Sequence, residues 1–372
     1  MISTIPVLAF VASALGNPLP APSLGVRDSC TISSLATVSA AESCSTITID
    51  AFTVPAGEKL VINAADKATI NMNGDITFEA DTTFKTSGPL FTLSGKSITF
   101  NGNGFTIDGQ GAKYWDGDGT SSSAKQTKPH PMIKLSCSGT VENVKVLNSP
   151  AQVFSMGNDA ALVVSNINID NSAGNAANSL SGGKPAAHNT DGFDVSTDNV
   201  TIQGSTIINQ DDCLAINQGS NIIFQNNQCT GGHGISIGSV ASGSTVSNVH
   251  ITGNTITDNV QALRIKTDAS ATSGSVSGVT YSGNTAKGCT DYGVIIDQSY
   301  PATLGTAGAG VKISDITFTG TNTIAVASSA KGEVEVNCAS GGCTGTWDWS
   351  GLKVSGGPSG SIVNAQVSDF TL

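Results

Sequence analysis

Four of the five aspartates in the stretch HNTDGFDVSTDNVTIQGSTIINQDDCLAIN, residues 188–217, stand out in a chain in which only 12% of residues are charged. They are Asp191, Asp194, Asp211 and Asp212. Carboxylates brought together repel, so at least one takes a raised pKa and keeps its proton while a neighbour stays ionised. Such a set supplies a general acid and a general base. Two or more carboxylates flanking one bond are the apparatus of glycoside hydrolysis. Downstream, His233 lies between glycines, and Arg264 and Lys266 add two cations. Arg suits a two-point grip on a carboxylate, which points to an anionic substrate. Two blander readings compete. Aspartates at chain corners satisfy turn amides, and Asp194 fits that role as well as a chemical one. Clustered Asp oxygens also suit calcium, although the neighbouring Arg and Lys oppose a cation.

The elements that must gather these residues are legible as a repeat. DGFDVS, DCLAIN, HGISIG and ALRIKT share one alternation, with the apolar pairs Phe193/Val195, Leu214/Ile216, Ile235/Ile237 and Leu263/Ile265 at intervals of 21, 21 and 28 residues; YGVIID continues the series. A second series, VTIQGSTI, IIFQNNQC, VHITGNTI and VTYSGNTA, fills the gaps with Gly and Asn turns. Short strands repeating at this period indicate an all-β solenoid, a parallel β-helix whose coils bury little alone and gain their core by stacking. An antiparallel sandwich has no reason to repeat strand identity at such an interval. The segment 29–44 predicts a short N-terminal capping helix, and CASGGCTGTWDWSGLKV is expected to close the other end. Aligning the apolar pairs places Asp191, Asp212 and His233 on three successive rungs about 4.8 Å apart, with Arg264 and Lys266 on the face opposite Leu263 and Ile265.

Composition narrows the classes. A net charge of −11 and a pI near 4.6 exclude a nucleic-acid partner, which needs clustered Lys and Arg. Mean hydropathy of +0.06 over 372 residues argues for a packed core rather than disorder. Residues 4–15 read as the apolar region of a signal peptide (1–16), followed by a candidate pro-segment (17–27) and a single domain over 28–372. No stretch reaches the 18 apolar residues that suggest a membrane span. A secreted chain accommodates disulfides, and its eight cysteines contain three pairs near in sequence: Cys30 with Cys44, Cys213 with Cys229, Cys338 with Cys343. Cys137 and Cys289 then remain as buried thiols. A glycosylation sequon at Asn199 falls within a predicted strand.

NTDGFD (189–194), QDDC (210–213), GGHGISIGS (231–239) and RIK (264–266), in this order, resemble the signature motifs of the polygalacturonases, glycoside hydrolase family 28. GNGFTIDGQGAKYWDG, NSPAQVFSM and YGVIIDQSY extend the resemblance over about residues 28–357, and the short loops and terminal cysteine pairs are similar to secreted fungal endopolygalacturonases. The resemblance implies a single-stranded, right-handed parallel β-helix, no metal and no cofactor. It implies endo-hydrolysis of the α-1,4-galacturonate backbone of pectin with inversion: Asp211 as general acid, Asp191 and Asp212 holding the attacking water, and His233 tuning the acid. Arg264, Lys266 and Tyr300 would bind the galacturonate, and Asn189 would shape the same subsite. It further implies a monomer, with plant polygalacturonase-inhibiting proteins as a candidate partner. After GHGISIGS this chain reads VASGSTVSN where many members carry a Gly-Gly-Arg segment, so an outer substrate-binding arginine is absent. Exo-acting hydrolysis, calcium-assisted elimination by a lyase and a non-catalytic polysaccharide-binding β-helix are the competing readings.

Overall fold

The computed structural model describes residues 30–83 and 88–372; the expected signal peptide and pro-segment lie outside them. Every strand pairing among these residues is parallel, and the strands stack into a right-handed parallel β-helix. One coil shows the construction. Phe193–Ser196 forms the first wall, Val200–Gln203 the second and Thr206–Ile208 the third. The next coil repeats this order: Asp212–Gln225 runs through the first two walls and Gln228–Thr230 forms the third. The apolar pairs behave as their spacing requires: Phe193 stacks on Leu214, Leu214 on Ile235, Ile235 on Leu263 and Leu263 on Val294. All five are at most 2% exposed. Full burial of each such side chain contributes about 1.5–3 kcal/mol.

Polar residues at the corners are satisfied by the coil above or below. Buried Asn227, Asn254, Asn284 and Asn322 form an internal ladder in which each accepts from the backbone N–H of the preceding member, at 2.9–3.1 Å. A coil corner takes away backbone partners, and a buried asparagine restores them from both ends of its amide. Asn199, expected within a strand, sits instead in the exposed turn before Val200–Gln203. It has the left-handed φ of +60° that Asn tolerates, and its Oδ1 accepts from Asn221 Nδ2 at 3.0 Å.

Both ends of the solenoid are closed. At the N-terminus the 3-10 turn Leu35–Thr37 runs into the single-turn helix Val38–Ala41, inside the disulfide Cys30–Cys44. At the C-terminus Trp347 and Trp349 are buried, and Trp349 packs edge-on to Phe318 and Phe370 while its Nε1 donates to Ile316 O. Cys338–Cys343 staples the same end, and Cys213–Cys229 joins the first and third walls of one coil beneath the aspartates. Closing its 16-residue separation removes about 3 kcal/mol of chain entropy from the unfolded state. Cys137 and Cys289 are free and buried, and burial pushes both thiols up to about 12. No helix among the described residues is long and apolar enough to cross a membrane.

Candidate active site

The first-wall strands carry the aspartates to one side of the solenoid. Asp191 and Asp194 flank Phe193 at the start of Phe193–Ser196; because Phe193 pairs with Leu214, Asp212 takes the place of Asp191 one coil on, with Asp211 beside it, while Asp194 pairs with Ala215. The next rung departs from simple alignment. A bulge at Cys213 shifts the register, so Asp212 pairs with Gly234 while Leu214 pairs with Ile235. His233 therefore stands beside Asp211, whose carbonyl accepts its N–H at 2.7 Å, and not in register with Asp212. The cause is inside the coil. Cys213 and Leu214 are consecutive and both completely buried, one in a disulfide and one in the core, which strict alternation forbids and a bulge permits.

The result is a cleft of about 420 Å³ lined by Asn189, Asp191, Asp211, Asp212, His233, Arg264, Lys266 and Tyr300, every candidate residue of the sequence reading. His188, Gln152, Asp194 and Asn217 line it too. His188 and Gln152 lie outside the repeat, so no periodicity marked them, and Asp194 was balanced between turn and site.

Each carboxylate has its own surroundings. Asp212, 1% exposed, is held at both oxygens: Ser236 Oγ donates to Oδ1 at 2.6 Å and Lys266 Nζ to Oδ2 at 2.7 Å. Lys266 also lies over the Tyr300 ring, 5.5 Å from its centre. Asp211 Oδ1 meets His233 Nδ1 at 3.0 Å and accepts the Asp212 N–H at 2.8 Å, while Oδ2 accepts from Asn189 Nδ2 at 3.1 Å. His188 approaches Oδ2 at 4.0 Å. Asp191 has no positive partner of this kind, and its Oδ1 and Arg264 Nε are buried without a hydrogen bond inside the protein.

These differences spread the proton affinities. Burial alone would raise Asp211, but the His233 hydrogen bond and charge outweigh it and hold the carboxyl at about 2. Burial opposes charge on His233, and the Asp211 bond and charge reverse that, raising the imidazole above its ordinary value. Burial pushes Asp191 well up, and the charges of Asp211, Asp194 and Asp212 add to it. Burial likewise lifts Asp194 to about 7, with help from Asp212 and Asp211. The cleft thus holds an ionised carboxylate beside protonated ones. Asp211, Asp212 and His233 also offer three ligand atoms within 4.8 Å of one another, but Lys266 and His233 already pair with the two carboxylates, so the donor set suits a proton-transfer site better than a cation.

A raised folded-state pKa means relative stability that is complete below about 3.8 and lost as pH rises through about 7. Asp194→Asn is therefore expected to stabilise the fold at pH 7.5 and to leave it unchanged at pH 4. The gain, discounted for partial solvent exposure, is about 1–2 kcal/mol. Thermal melts at the two pH values check it; equal shifts at both would remove ionisation as the cause.

The model of the family described as "Glycosyl hydrolases family 28" matches residues 44–370. The chain belongs to glycosyl hydrolases family 28. Among curated family 28 relatives, endopolygalacturonase B of Emericella nidulans is 40% identical over 95% of each chain, and a probable endopolygalacturonase A of Aspergillus fumigatus is 43% identical over 94% of each. Endopolygalacturonase I from Stereum purpureum, solved with two galacturonates, is 49% identical and superposes with a TM-score of 0.85, covering 91% of this chain and 98% of that one. The Erwinia carotovora polygalacturonase, 22% identical over 91% of this chain and 96% of its own, with a TM-score of 0.61, shares the fold. The chain is a glycoside hydrolase of this family.

Proposed function

We propose that the protein is a secreted endopolygalacturonase that hydrolyses α-1,4-galacturonosidic bonds of polygalacturonate with inversion. The observation that carries this reading is the cleft itself: close aspartates, of which Asp191 is pushed up and Asp211 held down, bordered by the cations Arg264 and Lys266. The endopolygalacturonase relatives at 40–49% identity support the substrate and the endo mode. The three disulfides suit an extracellular chain.

Asp211 donates the proton to the leaving glycosidic oxygen. In the free protein that proton rests on its partner His233, and the aspartates titrate as one coupled set. With substrate bound, the His233 proton moves to Asp211 and the Asp191 proton takes its place on His233, so the net charge of the cluster is unchanged. Asp191, now ionised, acts with Asp212 to accept the proton of the attacking water. Asp212 is pinned by Ser236 and Lys266 at both oxygens, an arrangement that suits orienting a water rather than bonding to carbon. Arg264, with its Nε unpaired inside the protein, and Lys266 over the Tyr300 ring grip the sugar carboxylate.

Purified protein on polygalacturonate with chelator present tests this. A fast fall in viscosity with few new reducing ends, no ultraviolet absorbance of unsaturated product and β-configured fresh reducing ends by proton NMR are expected. Reducing ends that rise while viscosity lags would move the reading to exo-action, and α-configured ends would overturn inversion.

A further inference from the structure

We propose that the loop 117–128 is a positioning element for Asn189, fixing its amide so that the N–H end faces Asp211. The inference rests on the hydrolase reading for its consequence, but its geometry stands apart from it. An asparagine amide has two unlike ends of nearly equal shape, so a partner on one end decides what the other presents. The Thr120 N–H donates to Asn189 Oδ1 at 3.0 Å, and Asn189 Nδ2 donates to Asp211 Oδ2 at 3.1 Å. Turned over, the amide would set its carbonyl oxygen against the carboxylate. The loop's N–H makes that orientation unfavourable.

The approach is close. Gly119 has φ +58°, and a Cβ there would lie 2.2 Å from Asn189 Oδ1 and 2.9 Å from its Cγ. Only glycine lets the backbone press this near the side chain it holds. The loop has its own interior anchor, the ion pair of Asp116 Oδ1 with Lys128 Nζ at 2.7 Å, with both residues at most 2% exposed. Asp116 also accepts the backbone N–H groups of Asp118, Lys125 and Gln126. The Gly117 N–H donates to Ala186 O, which ties the loop to the chain leading into Asn189. A buried carboxylate thus shapes the loop, the loop orients an amide, and the amide donates to the carboxylate placed at the reaction centre.

Asp211 is faced by His233, His188 and Lys266 as cations and by Asp191, Asp194 and Asp212 as anions. Asn189 is the neutral donor on Oδ2. Losing its N–H weakens the ionised form of Asp211, so Asp211 takes up a proton at higher pH and its carboxylate binds the His233 proton more tightly.

Gly119→Ala tests this, with Gly182→Ala as control. Gly182 has a comparable φ of +62° but nothing within 4 Å of its Cβ position, so it carries backbone strain without the collision. In Gly119→Ala, kcat on polygalacturonate is expected to fall about 10- to 100-fold with KM changed less than about twofold. The basic limb of the kcat profile should move to higher pH, and the NMR titration midpoint of the His233 ring should rise. Gly182→Ala should match the wild type in all of these while losing some thermal stability to the same backbone strain. Asp116→Asn, which loosens the anchor without touching Asn189, should shift the His233 titration in the same direction. A folded Gly119→Ala protein with wild-type kcat and a wild-type His233 titration would overturn the proposal. An inactive wild type would instead defeat the hydrolase reading, and the His233 titration would still decide the positioning role.

Discussion

Asp211→Asn is expected to lower kcat on polygalacturonate by about 10³-fold or more while leaving KM within a few-fold, because it removes a proton donor from the transition state and little else. The asparagine is nearly isosteric and can still accept from the Asp212 N–H, so the fold should survive. The substitution also removes the charge that raises His233, so the imidazole should titrate closer to its ordinary value, and NMR can follow this independently of turnover. The same electrostatics suggests a rival assignment. In the free protein Asp191, not Asp211, is the carboxyl whose pKa stands well up, so Asp191 could supply the proton while Asp211 serves as base. Substrates decide between them. An aryl oligogalacturonide with a good leaving group needs no protonation, so it should restore much of the rate to the variant lacking the acid and none to the variant lacking the base. Rescue of Asp211→Asn but not Asp191→Asn supports the assignment made here, and the reverse pattern exchanges the roles. The repulsion argument also predicts that Asp191 ionises more easily in Asp211→Asn, since one of the charges that raise it has gone.

How far the sequence reaches follows from what is periodic. The stacking of Phe193, Leu214, Ile235 and Leu263 was legible because each coil must deliver an apolar side chain to the same column, and spacing alone records that demand. With the column set, Asp191 over Asp212 and Lys266 on the outer face follow from alternation. His233 lies on the expected coil but one residue out of register, because a bulge at Cys213 leaves no trace in spacing: its cause is the competition of a disulfide and a core leucine for the inside of one coil. Asn199 was misread for a related reason, since the apolar residues after it start the strand while its own φ belongs to the turn. The residues that were missed altogether, His188 and the loop around Gly119, reach the cleft from irregular segments between coils. Nothing in their local pattern shows where those segments fold back. Only the glycine density of YWDGDGT hints that the backbone there must approach another segment closely.

Lys266→Met is expected to damage stability and activity together, for separable reasons. The ammonium sits 2.7 Å from Asp212 Oδ2, with side chains only 10% and 1% exposed. Burial would lower the lysine, but Asp212 outweighs it and raises Lys266 above its ordinary pKa, a sign that the pair is held as ions. Methionine fills similar volume and removes the charge, leaving Asp212 buried with Ser236 as its remaining side-chain partner and three carboxyls nearby. Breaking a buried pair in this way costs about 3–5 kcal/mol, and for a chain of this size that corresponds to a fall in Tm of roughly 6–15 °C. Activity should fall through KM as well as kcat, because the same ammonium is proposed to grip the sugar carboxylate. The double variant Lys266→Met/Asp212→Asn separates the two effects. Neutralising the stranded carboxylate should recover most of the lost stability at pH 7 while activity stays near background. If the double variant melts no higher than Lys266→Met alone, the destabilisation lies in packing of the lysine stem rather than in the unpaired charge. The pairing between the two coils would then count for chemistry and little for the fold.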